Sequence, residues 1–357
     1  MNKKVVKLMI LAGFAVLILS GCAAGVRAES TPGLTVSDSH VYLAYQTNLY
    51  QIDKSNGAEV DRFPEKSSAS LVMYAPPVVD GSDLFFGDLA NDFYRVSTED
   101  LNQIKWSFTE GKGWYQAKAA LQDDLLVVPC TDRNIYALDA ESGNRLWTYE
   151  GDFAFIAEPI IVDEKVIVST QEHHVLVLDI NTGEEIYRVE MNGAVLSAPL
   201  YDAETGTAYV GSLGKEMIAF DLETGQTKWS YSENLDTIWA TPILLDDELI
   251  FADKTGKILA LDPENGSVLW SKDAGGTVIA GLSAVADKGF LVAREDGNLF
   301  FYGLEQSNDW TASVVGNVYT APIVDGDQIF VPVIKADALL YTFNLSGLPG
   351  WTFTPAK

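Results

Sequence analysis

A short segment recurs about every forty residues along this chain, and that self-similarity constrains the fold more than any other feature. Three copies are nearly interchangeable: Ala137-Leu138-Asp139 through Gly143 to Trp147, Ala219-Phe220-Asp221 through Gly225 to Trp229, and Ala260-Leu261-Asp262 through Gly266 to Trp270. A fourth keeps Leu178-Asp179 and Thr182-Gly183 but ends in Tyr187. With the aspartate as a ruler, copies fall at Asp53, Ser97, Asp139, Asp179, Asp221, Asp262, Leu304 and Asn344, between 40 and 44 residues apart. A period of that length filled with short strands predicts a radial β-propeller. Eight copies predict an all-β, eight-bladed ring of four-stranded antiparallel blades over residues 34–357.

Each repeat has one grammar. A proline-bearing strand opens it, as at Pro77, Pro159, Pro199, Pro242 and Pro322. An Asp-Gly-like turn follows (Asp80-Gly81, Asp123-Asp124, Asp163-Glu164, Asp246-Asp247, Asp325-Gly326), which suits a tight hairpin. A continuous apolar strand comes next and predicts burial on both faces. The third strand reads as alternating and is expected nearer the solvent. The Asp-to-Gly turn then leads into a last strand expected to end in Trp106, Trp147, Trp229, Trp270 or Trp351. Aspartate caps turn amides, glycine takes positive φ, and the indole fills the gap to the next sheet with its N–H on a turn carbonyl. Repeats one and seven depart from this: Asp61 stands where Trp belongs, and Gly303-Leu304-Glu305-Gln306 has lost the Asp and Gly.

The first 21 residues read as an address. Lys3, Lys4 and Lys7 precede an apolar run from Leu8 to Leu19, 12 residues long. That is short of the roughly 20 needed to span a bilayer, so a signal peptide is expected. Leu19-Ser20-Gly21-Cys22 resembles the lipobox of bacterial lipoproteins, which makes Cys22 the expected lipidation site and residues 22–33 a tether. Ala23 after it is compatible with outer-membrane sorting. Ordinary cleavage near Ala24 or Ala28 is the alternative.

Removing the three n-region lysines takes the net charge from −26 to −29, a surface that repels phosphate backbones and predicts no nucleic-acid partner. Cys130 is the only cysteine besides Cys22, so no disulfide is expected, and its place in Leu125-Leu126-Val127-Val128-Pro129-Cys130 predicts an inert buried thiol.

The pattern Ala-x-Asp-x-x-Thr-Gly-x-x-x-Trp resembles the pyrroloquinoline-quinone-type propeller repeat, on Ala137, Asp139, Gly143 and Trp147 and their equivalents in the other copies. Partial matches cover most of the chain. Two branches share that repeat: quinoprotein dehydrogenases, and non-enzymatic envelope lipoproteins similar to the BamB family of the outer-membrane β-barrel assembly machinery. The lipobox and bare eight-unit layout resemble the second. The enzymes resemble one another in a vicinal disulfide over the cofactor, and here the two cysteines stand 108 positions apart. The resemblance therefore implies no enzyme activity, no cofactor and no catalytic residues.

Other chemistry is thinly represented. His173-His174 falls at an expected hairpin tip, and no Cys/His spacing completes a metal site. Asp123-Asp124 and Asp246-Asp247 occupy turn slots and read as turn formers. One constellation carries a functional expectation. Three residues before the prolines stand Tyr74, Ile156, Leu196, Trp239 and Tyr319, with Trp114, Tyr115, Phe153 and Phe155 nearby. On one face of a propeller these would rim the channel mouth and either pack between blades or dock a partner. The expectation is a monomeric, lipid-anchored, extracytoplasmic scaffold whose partners are envelope proteins, such as a β-barrel assembly or insertion component. A glycan-binding propeller is the alternative, and a quinoprotein dehydrogenase a remote one.

Overall fold

Among the described residues, short apolar runs punctuated by Asp, Gly and Asn become 32 strands, paired into eight antiparallel sheets of four consecutive strands each. The structure, a computed structural model, describes residues 31–68, 70–305 and 308–356. The expected signal peptide, Cys22 and the tether up to residue 30 lie outside the described residues. Blades 1 to 8 span 33–63, 78–108, 120–150, 160–190, 200–231, 243–273, 282–313 and 323–353. The first strands of adjacent blades lie side by side around the axis, β1 (Gly33–Val36) beside β29 (Ile323–Asp325) included. Between the last and first blades, the Thr320 hydroxyl donates to the Pro32 carbonyl at 2.7 Å and the Trp351 indole to Lys54 O at 3.0 Å. Those bonds close the ring.

In blades 2 to 8 the first hairpin is tight because a turn residue accepts left-handed φ. Gly81 and Gly326 do so freely, and Asp123, Asp163, Asp246 and Asp247 hold φ between 49° and 60°. The carboxylate pairs are thus turn formers.

Two expectations about the strands are corrected. The third strand is not half-solvated: Ile135, Tyr136, Ala137 and Leu138 are all buried. Tyr136 and Leu138 pack into the core shared with blade 2, and Ile135 and Ala137 into that shared with blade 4, because neighbouring sheets cover both faces. The alternating strand is the fourth, at the perimeter, where Arg145–Glu150 shows only its Trp147 side to the core. The tryptophan therefore sits inside the last strand and does not end it.

Six of the eight seams share one lock. The fourth-strand aromatic of one blade lies on the glycine of the next blade's last turn and donates to a carbonyl there. Trp106 donates to Ala140 O (3.1 Å), Trp147 to Ile180 O (2.8 Å), Trp229 to Pro263 O (2.9 Å) and Trp310 to Leu345 O (2.9 Å). Tyr187 OH donates to Leu222 O, and Trp351 completes the set. Within each turn the aspartate holds the amides: Asp139 accepts from Ser142 N at 2.7 Å, Asp179 from Thr182 N at 2.9 Å, Asp221 from Thr224 N at 2.8 Å and Asp262 from Glu264 N at 2.8 Å. Glycine is required twice over. Gly143, Gly183, Gly225 and Gly266 have φ of 71–74°, and a methyl group on Gly266 would meet the Trp229 ring at 2.7 Å.

The two divergent repeats behave differently. Between blades 1 and 2 the Asp61 carboxylate accepts from Leu101 N at 2.8 Å, so a charge-assisted bond replaces the indole. Between blades 6 and 7 no such lock is made among the described residues. Strand pairing corrects the ruler here: Gly303, opposite Gly289, holds the aspartate's place, and Leu304 holds that of the carbonyl acceptor. From there to the tryptophan is one residue fewer than in blade 3, and β27 (Asn298–Gly303) pairs β28 (Trp310–Ser313) without the bulge that the other seven blades carry. Trp270 N–H instead donates to Glu248 of its own blade at 2.8 Å.

Candidate functional site

Each connection from the fourth strand of one blade to the first strand of the next is stitched between two second-hairpin turns. Tyr115 N donates to Asp88 O of blade 2 (3.2 Å), and Trp114 O accepts from Thr131 N of blade 3 (3.0 Å). The same pair of bonds recurs at Val195 and Ala194 and at Ile238 and Thr237. This backbone geometry forces an alternation. The bonded residue plugs the seam: Met73, Tyr115, Phe155, Val195, Ile238, Val278 and Val318 are all buried. The next residue then turns to the opposite side.

That next position holds Tyr74, Ile156, Leu196, Trp239 and Tyr319, so the five expected rim residues are structurally equivalent, and all are half-buried. Sequence reading missed Gln116 and Ile279, the equivalents in blades 3 and 7, because Ala119 and Leu282 replace the proline that marked the others. Two rim side chains are fixed by polar contacts. Trp239 N–H donates to Thr237 Oγ1 at 2.9 Å, with the Lys254 ammonium 5.1 Å above its ring. Tyr319 OH donates to Glu295 Oε1 at 2.6 Å, while its ring packs on the core between blades 8 and 1. Of the aromatics expected nearby, Tyr115 and Phe155 are core plugs, whereas Trp114 (41% exposed) and Phe153 (51%) stand out from adjacent connections.

The turns on this face hold a buried carboxylate, Asp88, and a half-buried one, Asp132. Burial raises Asp88, despite bonds from the Asp92 and Ala90 amides and Tyr94 OH. Burial also opposes the Asp132 anion, but bonds from Lys112 N, Tyr136 OH and Asn134 N outweigh it and keep that carboxyl below its usual range. Cys130 is fully buried and burial pushes its thiol up to about 12, so it is not poised as a nucleophile. His173 sits at φ 73° in its turn, and His174 contacts Glu190 at 3.2 Å. Among the described residues no three His, Cys, Asp or Glu side chains gather as metal ligands.

A family model described as outer membrane protein assembly factor BamB matches residues 22–161, 131–331 and 254–356. The outer membrane protein assembly factor BamB of Alteromonas naphthalenivorans is 31% identical over 103 residues, 24% of this chain and 25% of that protein. An uncharacterized protein of Rickettsia prowazekii is 24% identical over 252 residues, 68% of this chain and 50% of its own length. The chain thus spans between a quarter and a half of these curated relatives. The crystal structure of BamB from Moraxella catarrhalis superposes with a TM-score of 0.72 at 16% identity, covering 90% of this chain and 98% of that one, a likeness of fold.

Proposed function

The chain belongs to the family of the outer membrane protein assembly factor BamB, and from that membership we propose a non-enzymatic propeller scaffold that docks envelope proteins during membrane-protein assembly. The observation that carries this reading is the rim. Seven connections present one equivalent position, six times with an apolar or aromatic side chain, on a backbone stitched rigid between blades. Trp114 and Phe153 stand exposed beside it. Aromatic groups framed by polar turns suit an extended strand or loop of a partner.

The reading includes an extracytoplasmic location and a lipid on Cys22. The chain enters β1 at Gly33, on the side of the connections, so such a tether would hold the rim toward the membrane. The net charge of −26 disfavours nucleic acid as a partner.

Affinity purification of the full chain from native membranes tests the proposal. The expected result is co-purification of a β-barrel assembly or insertase component, falling about tenfold in a folded Trp239→Ala/Tyr319→Ala variant, the scale of one lost anchor. Undiminished capture would remove the rim from the account. A rise in melting temperature with soluble oligosaccharide would favour a glycan site, and quinone-dependent dye reduction by purified protein would overturn the non-enzymatic reading.

A further inference from the structure

The seam between blades 6 and 7 leaves a cleft of about 370 Å³, walled by Leu245, Ile250, Trp270, Phe290, Tyr302 and Leu304. It opens on the face of the aspartate turns, away from the connection rim, and needs nothing from the rim reading. Three observations define what it fits. In six other seams the corresponding space is filled by a glycine-bearing turn of the next blade, acidic in five of them, lying on the aromatic ring and offering it a carbonyl. Here no described residue of the turn offers the ring a glycine or a carbonyl, and Leu304 stands 49% exposed at the edge.

The second observation is a misplaced charge. Two residues after the docking aromatic, the other seven blades carry an apolar or aromatic side chain, from Phe63 in blade 1 to Phe353 in blade 8. Blade 6 carries Lys272, whose ammonium lies 4.5 Å from the Tyr302 ring centre and 5.5 Å from that of Trp270. Among the described residues Lys272 makes no ion pair, in a chain of net charge −26. Third, the carboxylates around the cleft are engaged or turned elsewhere and none pairs with the ammonium: Glu248 accepts the indole N–H, Asp309 accepts from Gly303 N at 2.8 Å, and Asp246 is exposed in its turn.

We propose that this cleft is a docking site for an acidic, glycine-containing turn donated by a partner protein, with a carboxylate on Lys272 and the turn backbone against Trp270 and Leu304. The cation supplies the complementarity that the acidic surface elsewhere denies such a partner.

A dye-labelled peptide with the sequence Leu-Asp-Pro-Glu-Asn-Gly-Ser-Val, copied from residues 261–268 and cyclised through added terminal cysteines, is the probe. Fluorescence anisotropy against the full-length protein is expected to show saturable binding below about 1 mM. Replacing the peptide's two carboxylates by amides, Lys272→Met and Leu304→Asp should each weaken it about tenfold or more. Leu304 is exposed, so that variant keeps the fold if Lys272→Met does not. Trp239→Ala, on the opposite face, should leave the affinity for this peptide unchanged. The absence of saturation by about 1 mM, equal affinity in both cleft variants, or loss of binding in Trp239→Ala would overturn the proposal.

Discussion

The seam between blades 5 and 6 and the seam between blades 6 and 7 begin with the same residue type in the same strand position and end differently. Trp229 is 9% exposed, lies on Gly266 and bonds Pro263 O at 2.9 Å. Trp270 is half-buried, lies beside Phe290 and Tyr302 and bonds a carboxylate of its own blade. The cause is in the partner turn, one residue shorter and without the strand bulge that swings the turn toward its neighbour. A tryptophan in this fold is thus a lock only when the next repeat brings the matching turn. Where it does not, the side chain becomes the wall of a cleft.

The comparison breaks most readily at the tryptophans. Trp229→Ala is expected to cost about 3–5 kcal/mol in denaturant unfolding, as for a large core aromatic. Trp270→Ala should cost about half that, because less apolar area leaves contact. Equal losses would mean that the two seams are equally locked. Gly266→Ala sharpens the point. It combines a φ of 72° with a clash on the Trp229 ring, and about 2–3 kcal/mol is expected. Gly206→Ala, at φ 66° with open space around it, isolates the strain at about 1 kcal/mol.

Replacing the seven residues 303–309 with the eight-residue Asp262–Leu269 sequence should restore the lock. A gain of about 1 kcal/mol in unfolding free energy is expected, the scale of one hydrogen bond. Loss of stability would show that the seam needs its present turn. The smallest effect is electrostatic. Bonds from the Ser142 hydroxyl hold Asp139 below the usual carboxylate range, and those from the Thr182 amide and Thr224 hydroxyl do the same for Asp179 and Asp221. Their stabilisation is therefore present above the unfolded aspartate value near 3.9 and lost as pH falls through the lower folded values. Substituting all three by Asn should narrow the difference in melting temperature between pH 7 and acid; an unchanged difference would contradict these bonds as its source.

The ring and its blade count were legible because Asp139, Gly143, Trp147 and their equivalents each answer a local demand that repeats with the period. The solvation of the strands was misjudged: Ile135 to Leu138 read as an alternating surface only if neighbouring blades are ignored, and both faces are in fact covered. Proline served as a marker for the rim and hid Gln116 and Ile279, whose position is set by backbone bonding and not by residue type. The cleft was half legible. Gly303-Leu304-Glu305 visibly lacks the motif, but the consequence falls on Trp270 and Lys272 in the preceding repeat, which no single repeat records.

Backbone hydrogen exchange, read by mass spectrometry on the full chain, tests the claim of one unlocked seam most directly. Residues 303–313 of blade 7 should exchange faster than the matching turns and fourth strands at 139–150 and 221–231, whose amides sit under a docked aromatic. Equal protection across all three segments would mean that the ring is sealed alike throughout, and the cleft would lose its physical basis.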